Sequence, residues 1–130
     1  MEPLHILLVD DEKEFLEILQ KRLAARSVRV STAADGNAAL ALVRNSMAGG
    51  DAGRIHAIVL DVLMPGMDGL ETLQQIKALA PHIPVIMLSG HVAMDVALQG
   101  LELGAYDYML KPATLDELIA KVDAAILAAA

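Results

Sequence analysis

The chain has 130 residues, which is enough for one domain that buries its own hydrophobic core. Although 55% of the residues are hydrophobic, no apolar run approaches the roughly 20 residues of a membrane-spanning helix. The net charge of −7 and the scattered lysines and arginines argue against direct binding of nucleic acid or of a membrane surface by this segment.

The beginning of the sequence does not have the pattern of a secreted protein. Met1-Glu2-Pro3 leads directly into a short apolar run that ends in two acidic residues, so no signal peptide is predicted and the cytoplasm is the expected location. The absence of cysteine fits this location but fits others equally well. No repeat interrupts the pattern, and residues 1–130 are expected to form a single domain.

Short apolar runs alternate with segments of helical spacing along the whole chain. The runs predict strands at residues 5–9, 28–32, 57–60, 84–88 and 106–110. The helical spacing predicts one helix that carries Phe15, Ile18, Leu19 and Leu23, and others at 38–43, 70–79, 92–103 and 114–127. The glycine-rich segment 45–54 is predicted to be a loop. Strands that alternate with helices indicate a parallel sheet covered on both faces.

Some of the predicted helices begin with the spacing of a capping box, in which an oxygen-bearing N-cap residue stands three positions before a glutamate. The pairs are Asp11 with Glu14, Asp68 with Glu71, and Thr114 with Glu117. Asp11, Asp68 and Thr114 are therefore predicted to be N-cap residues.

Four of the predicted strands are followed at once by polar residues. These residues are Asp10 and Asp11 after the first strand, Asp61 after the third, Ser89 after the fourth and Lys111 after the fifth. In an open α/β sheet, ligands bind beyond the carboxyl ends of the strands. Three carboxylates, a hydroxyl group and an ammonium group are therefore expected to meet at one edge of an otherwise apolar sheet.

This set of groups suggests phosphoryl chemistry. Clustered carboxylates stay ionised only beside a compensating cation, and Mg²⁺ is bound in proteins through one or two carboxylates together with phosphate oxygens. A lysine can hold a phosphoryl oxygen, and a serine hydroxyl group can donate to one. A carboxylate can itself attack phosphorus and form an aspartyl phosphate.

Four motifs in this order resemble the response-regulator receiver domains of two-component signalling. They are Leu-Leu-Val-Asp10-Asp11-Glu, Leu-Asp61-Val-Leu-Met-Pro-Gly-Met-Asp68-Gly69, Leu-Ser89-Gly90, and Gly104-Ala105-Tyr-Asp-Tyr108-Met-Leu-Lys111-Pro112. The resemblance runs from the first strand to the last helix. It implies a doubly wound, flavodoxin-like (βα)5 sandwich, with a five-stranded parallel sheet of order 2-1-3-4-5 and helices on both faces.

The resemblance implies a role for each acid in the cluster. Asp61 would accept a phosphoryl group from a phosphohistidine of a partner histidine kinase or phosphotransfer protein. Asp11 and Asp61 would bind Mg²⁺ together with the backbone carbonyl of Leu63, and Asp10 would assist through water. The domain would catalyse only its own phosphorylation and dephosphorylation, so it is not expected to be an enzyme in the ordinary sense.

The other residues of the motifs would respond to the phosphoryl group. Lys111 would pair with Asp61 and then with the phosphoryl group, and Ser89 would hydrogen-bond a phosphoryl oxygen. Tyr108 would rotate into the space that Ser89 leaves. Leu63 and His91 stand where they would tune the lifetime of the acyl phosphate. The Lys111–Pro112 peptide bond is expected to be cis.

The resemblance also implies a surface for partners. The last two helices and the last strand would form a face that engages partners or a second copy of the chain. No DNA-binding or catalytic segment follows the last helix in this sequence, so the effector is expected either in another protein or in a further part of a longer regulator.

Other readings of the same residues remain. Taken singly, Asp11 could be only a helix cap, Lys111 a solvated lysine and Tyr108 a core residue. The whole chain could be a pseudo-receiver, which is an interaction module that keeps the fold without the chemistry. A Mg²⁺-dependent phosphatase is less favoured, because such enzymes have Asp-x-Asp after the first strand. A nucleotide-binding Rossmann domain lacks support, because no Gly-x-Gly-x-x-Gly follows that strand.

Overall fold

The computed structural model of the chain describes residues 3–49, 53–62, 68–90 and 94–129. The strands are β1 (His5–Val9), β2 (Arg29–Ala33), β3 (Ala57–Leu60), β4 (Val85–Ser89) and β5 (Asp107–Leu110). The helices are α1 (Lys13–Ala24), α2 (Gly36–Ala48), α3 (Gly69–Leu79), α4 (Met94–Glu102) and α5 (Leu115–Ala129). None of the helices in these ranges has the length and apolar character that crossing a bilayer requires.

The five strands form one parallel sheet of order β2-β1-β3-β4-β5. This confirms the doubly wound architecture and the strand order. Because β1 lies between β2 and β3, the chain moves first toward one edge of the sheet and then toward the other. The carboxyl ends of β1 and β3 therefore lie side by side where the direction reverses, which is the usual ligand-binding position in such sheets.

Two apolar cores explain why the strand sequences are almost continuously hydrophobic. Leu7 and Val9 of β1 belong to the core that packs against α2 and α3, whereas Ile6 and Leu8 belong to the core that packs against α1 and α5. Successive side chains of a strand point to opposite faces, so a strand covered on both sides needs apolar residues at every position. The same alternation continues in β3, where Ile58 and Val59 lie in different cores.

The second helix is longer than the sequence predicted. It extends to Ala48, so the prediction of a loop over 45–54 is wrong for residues 45–48, and residues 50–52 lie outside the described part of the chain. Ser46 explains the extension, because its buried hydroxyl group accepts a hydrogen bond of 2.9 Å from the backbone N–H of Ile55. That bond fastens the last turn of α2 to the segment that enters β3.

Two of the three predicted helix caps are confirmed. The Asp68 carboxylate accepts a hydrogen bond from the backbone N–H of Leu70 at 3.0 Å, and the Thr114 hydroxyl group accepts one from Glu117 at 3.1 Å. The prediction for Asp11 is wrong, because Glu12 occupies the N-cap position of α1 and its side chain makes no capping hydrogen bond. Residues 92 and 93 of the helix predicted for 92–103 lie outside the described residues, and the remaining elements differ from the prediction only at their ends.

A buried histidine forms hydrogen bonds at the amino-terminal end of β1. His5 Nδ1–H donates to the carbonyl of Arg54 at 3.0 Å, which leaves Nε2 to accept from the Ser31 hydroxyl group at 2.8 Å. The backbone N–H of His5 donates to His56 Nδ1 at 2.9 Å. Burial lowers the pKa of His5, and the nearby Arg29 and His56 add to this effect while the bond to Arg54 opposes it.

The lowered pKa of His5 predicts a loss of stability in mild acid. The unfolded imidazole has a pKa of about 6.5, so the stability contributed by the neutral ring is present above that pH and is lost as the pH falls through the lower folded pKa. Between about pH 7 and about pH 5, His5→Gln should lose less unfolding free energy than the unchanged chain, measured by urea denaturation. His82→Gln, at an exposed histidine, should follow the unchanged chain. Equal slopes for His5→Gln and the unchanged chain would contradict the prediction.

Candidate functional site

Backbone hydrogen bonds bring the ends of the strands together at the carboxyl edge of the sheet. The N–H of Asp61 donates to the carbonyl of Val9 at 2.8 Å, and the N–H of Lys111 donates to the carbonyl of Ser89 at 2.8 Å. The first bond joins the end of β1 to the end of β3, and the second joins the end of β4 to the end of β5. These positions are therefore set by the parallel register and do not depend on the side chains.

Three carboxylates lie at this edge. Asp10, Asp11 and Asp61 each offer an oxygen, and these oxygens lie within 4.8 Å of one another. Asp10 and Asp61 are buried, whereas Asp11 is exposed. The cluster therefore consists of two buried acids and a third acid that faces solvent. An ion could enter the cluster from the solvent side.

Lys111 is the cation that contacts this cluster in the described residues. Its Nζ lies 2.6 Å from Asp10 Oδ2, 2.8 Å from Glu12 Oε1 and 3.8 Å from Asp61 Oδ2. The same atom lies 4.4 Å from the centre of the Phe15 ring, within the range of a cation–π interaction. Lys111 thus forms its short contacts with Asp10 and Glu12, and a longer one with Asp61.

The charges of Asp10 and Lys111 depend on each other. Burial raises the pKa of Asp10, and the hydrogen bond from Lys111 opposes that rise without cancelling it. Burial by itself would lower the pKa of Lys111, but the hydrogen bonds to Asp10 and Glu12 outweigh burial and raise it. The lysine therefore stays charged, while Asp10 is a buried acid for which one ammonium group does not compensate fully.

Ser89 and Tyr108 lie on the two strands next to the cluster. Ser89 is the last residue of β4 and is buried. Tyr108 pairs with Met87 across the β4–β5 register and packs, partly buried, against the core beneath α2 and α3. The two residues are thus placed on adjacent strands, and the coupled movement expected of them stays a prediction. The Lys111–Pro112 peptide bond is cis, as the resemblance implied.

A glycine allows the first turn of α3 to lie close to the end of β3. A Cβ atom at Gly69 would overlap the backbone of Val62, so the first turn of α3 can approach the end of β3 only because this residue has no side chain. This is a physical reason for glycine after Asp68 in the motif. Leu63 and His91 lie outside the described residues, and their proposed influence on the acyl phosphate stays a prediction.

Sequence reasoning did not assign a role to Glu12. The residue lies directly after the two acids of the first strand end, and its carboxylate reaches Lys111 across the sheet edge. Its position next to Asp11 was the available signal, but a surface glutamate at a helix start is ordinarily solvated. Only the three-dimensional proximity of the end of β5 distinguishes it.

The comparisons with known proteins agree with this geometry. The chain matches the family model of the response regulator receiver domain over residues 6–123, and it belongs to that family. It is therefore a receiver domain of the two-component response regulators, a class of proteins that signal by phosphorylation.

Individual relatives give the extent of the similarity. The chain is 40% identical to the transcriptional regulatory protein PrrA of Mycobacterium leprae (strain TN), over 92% of this chain and 48% of that protein. It resembles a response regulator receiver domain protein from Clostridium thermocellum with a TM-score of 0.85 and 30% identity, covering 96% of this chain and 95% of that one.

A third relative was solved with a modified site. This is a response regulator protein from Burkholderia pseudomallei with a phosphorylated aspartic acid, a calcium ion and citrate, which has a TM-score of 0.80 and 25% identity over 92% of this chain and 66% of that one. The chain spans about half the length of several of the curated relatives that it matches.

The ion pairs of Lys111 predict a stability effect that depends on pH. Lys111→Met should destabilise the fold by about 3 kcal/mol at neutral pH, because it leaves Asp10 buried without its cation. The cost should be larger near pH 8 than near pH 5. Without the lysine, the folded pKa of Asp10 rises further above its unfolded value, and the folded state loses stability as the pH rises through it.

Urea denaturation at both pH values measures this effect. Lys13→Met, at an exposed lysine of α1, removes the same charge and should change stability by less than about 0.5 kcal/mol. A loss of equal size at the two pH values would contradict the prediction, because the ionisation of Asp10 would then not contribute to the cost.

Proposed function

We propose that Asp61 accepts a phosphoryl group in a Mg²⁺-dependent reaction, and that the donor is a phosphohistidine on a partner histidine kinase or phosphotransfer protein. The observation that carries the proposal is the cluster itself, in which the oxygens of three acids lie within 4.8 Å of one another and Lys111 Nζ lies 3.8 Å from Asp61. The phosphorylated aspartic acid in the Burkholderia pseudomallei relative supports the same chemistry.

Asp61 is the best nucleophile of the three acids. Asp10 already uses both of its carboxylate oxygens, because Oδ1 accepts from the backbone N–H of Glu12 at 2.9 Å and Oδ2 lies 2.6 Å from Lys111 Nζ. Acylation of either oxygen would therefore disturb a contact that the site already makes. Asp11 is exposed, so an acyl phosphate there would meet water. Asp61 follows the central strand β3, and its burial limits the access of water.

The transfer makes one bond and breaks one bond. A carboxylate oxygen of Asp61 attacks phosphorus while the bond from phosphorus to the imidazole nitrogen of the donor breaks. The electron pair stays on the imidazole, and the product is an acyl phosphate. Such transfers have little covalent chemistry for the protein to perform, so the contribution of the site is to position the groups and to neutralise charge.

The acidic residues fit a divalent cation. The donors are carboxylate oxygens, which Mg²⁺ prefers, and in the described residues the three acids share this site with the single ammonium group of Lys111. Asp10, Asp11 and Asp61 would hold the ion, with the backbone carbonyl of Leu63 as the further ligand that the family resemblance implies. A bound ion would supply positive charge against the phosphoryl oxygens.

The signal would leave the site through Lys111, Ser89 and Tyr108. The new phosphoryl oxygens attract the Lys111 ammonium group and the Ser89 hydroxyl group, and the backbone bond between these residues couples β4 to β5. Tyr108, on β5, would follow. The altered surface is the face of α4, β5 and α5, where a partner or a second copy would bind.

The location and the partners of the domain are part of the same proposal. We propose that residues 1–130 form one receiver domain located in the cytoplasm, that it catalyses only its own phosphorylation and dephosphorylation, and that it does not bind nucleic acid or membrane directly. PrrA is a transcriptional regulatory protein of about twice the matched length, so an effector domain or protein would read this switch.

Substitution of the acceptor tests the proposal. Asp61→Asn should remove labelling by acetyl phosphate or phosphoramidate in the presence of Mg²⁺, because an amide is a poor nucleophile and cannot form the acyl phosphate. Intact-protein mass spectrometry measures the gain of one phosphoryl group. Asp123→Asn, at an exposed position of α5, should be labelled like the unchanged chain. Labelling of Asp61→Asn at the unchanged level would remove Asp61 as acceptor.

Binding of the ion separates a working receiver from a pseudo-receiver. Because the chain has no tryptophan, NMR shifts of the Asp11 and Asp61 backbone amides are the suitable readout of a Mg²⁺ titration. Asp11→Asn should weaken Mg²⁺ binding by about tenfold or more, since one of its charged ligands is lost. A chain that shows neither Mg²⁺-dependent shifts nor labelling would be a pseudo-receiver.

A further inference from the structure

The ion pair between Glu12 and Lys111 has no part in the reaction proposed above. Lys111 Nζ lies 2.8 Å from Glu12 Oε1, which is 1 Å closer than its 3.8 Å distance from Asp61 Oδ2. The Glu12 side chain is 62% exposed, whereas that of Lys111 is 11% exposed. The glutamate thus reaches from the surface of the domain to a lysine that is largely buried.

We infer that Glu12 is a positioning residue that holds Lys111 away from Asp61 until a phosphoryl group on Asp61 draws the lysine across. The inference rests on the proposed function of Asp61. Glu12 would fix the position of the lysine in the unmodified domain. It would therefore influence the equilibrium between the unmodified and the modified states.

The backbone around Glu12 fixes where its side chain starts. Its N–H donates to Asp10 Oδ1 at 2.9 Å, and its carbonyl accepts from the N–H of Leu16 at 3.1 Å. Glu12 occupies the N-cap position of α1, yet its side chain makes no capping bond. The carboxylate is therefore available to the lysine instead of to the helix.

The distances show that a small movement is enough. A hydrogen bond from an ammonium group to a carboxylate oxygen has a length of about 2.8 Å. Nζ lies 3.8 Å from Asp61 Oδ2, so an approach of about 1 Å would form such a bond with this carboxylate. The Phe15 ring, 4.4 Å from Nζ, lies beside the lysine in the resting position. Movement toward Asp61 would change the electrostatic field that this ring experiences.

The burial of Asp10 and the exposure of Glu12 determine which of the two contacts Lys111 would lose when Asp61 is phosphorylated. Asp10 is buried and pairs with Lys111 at 2.6 Å, so breaking that contact would leave a buried charge without a partner. Glu12 is mostly exposed, and water and salt weaken its ion pair. A dianionic phosphoryl group in the buried part of the site can therefore displace Glu12 from the lysine more easily than it can displace Asp10.

Beryllium fluoride with saturating Mg²⁺ tests the inference, because it forms a stable mimic of the phosphoryl group on a carboxylate. Loss of the resting contact should favour the mimic, so Glu12→Gln should bind it about two- to fivefold more tightly, the range expected for an exposed ion pair. Glu12→Asp keeps the charge but shortens the side chain by one methylene group, so it should also bind more tightly. Glu14→Gln removes an equal charge from the first turn of α1 and should not.

A second measurement reports on the lysine directly. The chain has a single phenylalanine, so the ring signals of Phe15 can be identified in NMR spectra. Without Mg²⁺ or beryllium fluoride, these signals and those of the Lys111 Cε should shift in Glu12→Gln and Glu12→Asp but not in Glu14→Gln. High salt should shift the unchanged chain toward the variants, because it weakens the exposed pair.

The outcomes distinguish the two ideas. If only Glu12→Gln binds the mimic more tightly, charge and not contact is responsible, and the inference is overturned. Equal affinity in all variants overturns it as well. If the unchanged chain fails to bind the mimic, the proposed function fails, while the Phe15 and Lys111 signals still show whether Glu12 holds the lysine.

Discussion

The structure depends on one electrostatic constraint, which is that acids buried at the end of an apolar sheet must be balanced by a cation. Asp10 and Asp61 are both buried, and their oxygens lie close to that of Asp11. In the described residues Lys111 is the cation in contact with them, and it is shared with Glu12. Such an excess of negative charge costs stability unless an ion or a change of protonation relieves it. Burial also raises the pKa of Asp10, because the desolvated carboxyl group is harder to ionise.

The apolar cores and the backbone hydrogen bonds of the sheet offset the free-energy cost of burying these acids. Strands covered on both faces supply two apolar cores, and those cores hold the sheet while its carboxyl edge carries the charge. The reversal of strand order puts the ends of β1 and β3 side by side, and main-chain hydrogen bonds lock Asp61 to Val9 and Lys111 to Ser89. The backbone therefore fixes the positions from which these charged side chains start. A change in the charge of one side chain would then alter which side chains contact each other, while the strands keep their places.

The proposed switch depends on which acids the Lys111 ammonium group contacts. In the conformation described, the short contacts of Lys111 are with Asp10 and Glu12. A phosphoryl group on Asp61 would add negative charge on the other side of the lysine and would shift its preference. Because Lys111 lies at the end of β5 and is bonded to the end of β4, a movement of the ammonium group would bear directly on the strands that carry Ser89 and Tyr108.

The sequence by itself determined the order of the elements and the membership of the acidic cluster. Periodicity distinguishes strands from helices, and parallel strands deliver the residues that follow them to one edge, so Asp10, Asp61 and Lys111 could be placed together before any coordinates. The end of α2 could not be predicted, because it depends on a hydrogen bond from the backbone N–H of Ile55 to the hydroxyl group of Ser46, nine positions earlier in the chain. The sequence also could not show that Glu12 contacts Lys111 in addition to Asp61. Pattern and spacing describe neighbours along the chain, whereas the partner of a charged side chain is chosen by distances of a few tenths of an ångström and by burial, which exist only in the folded structure.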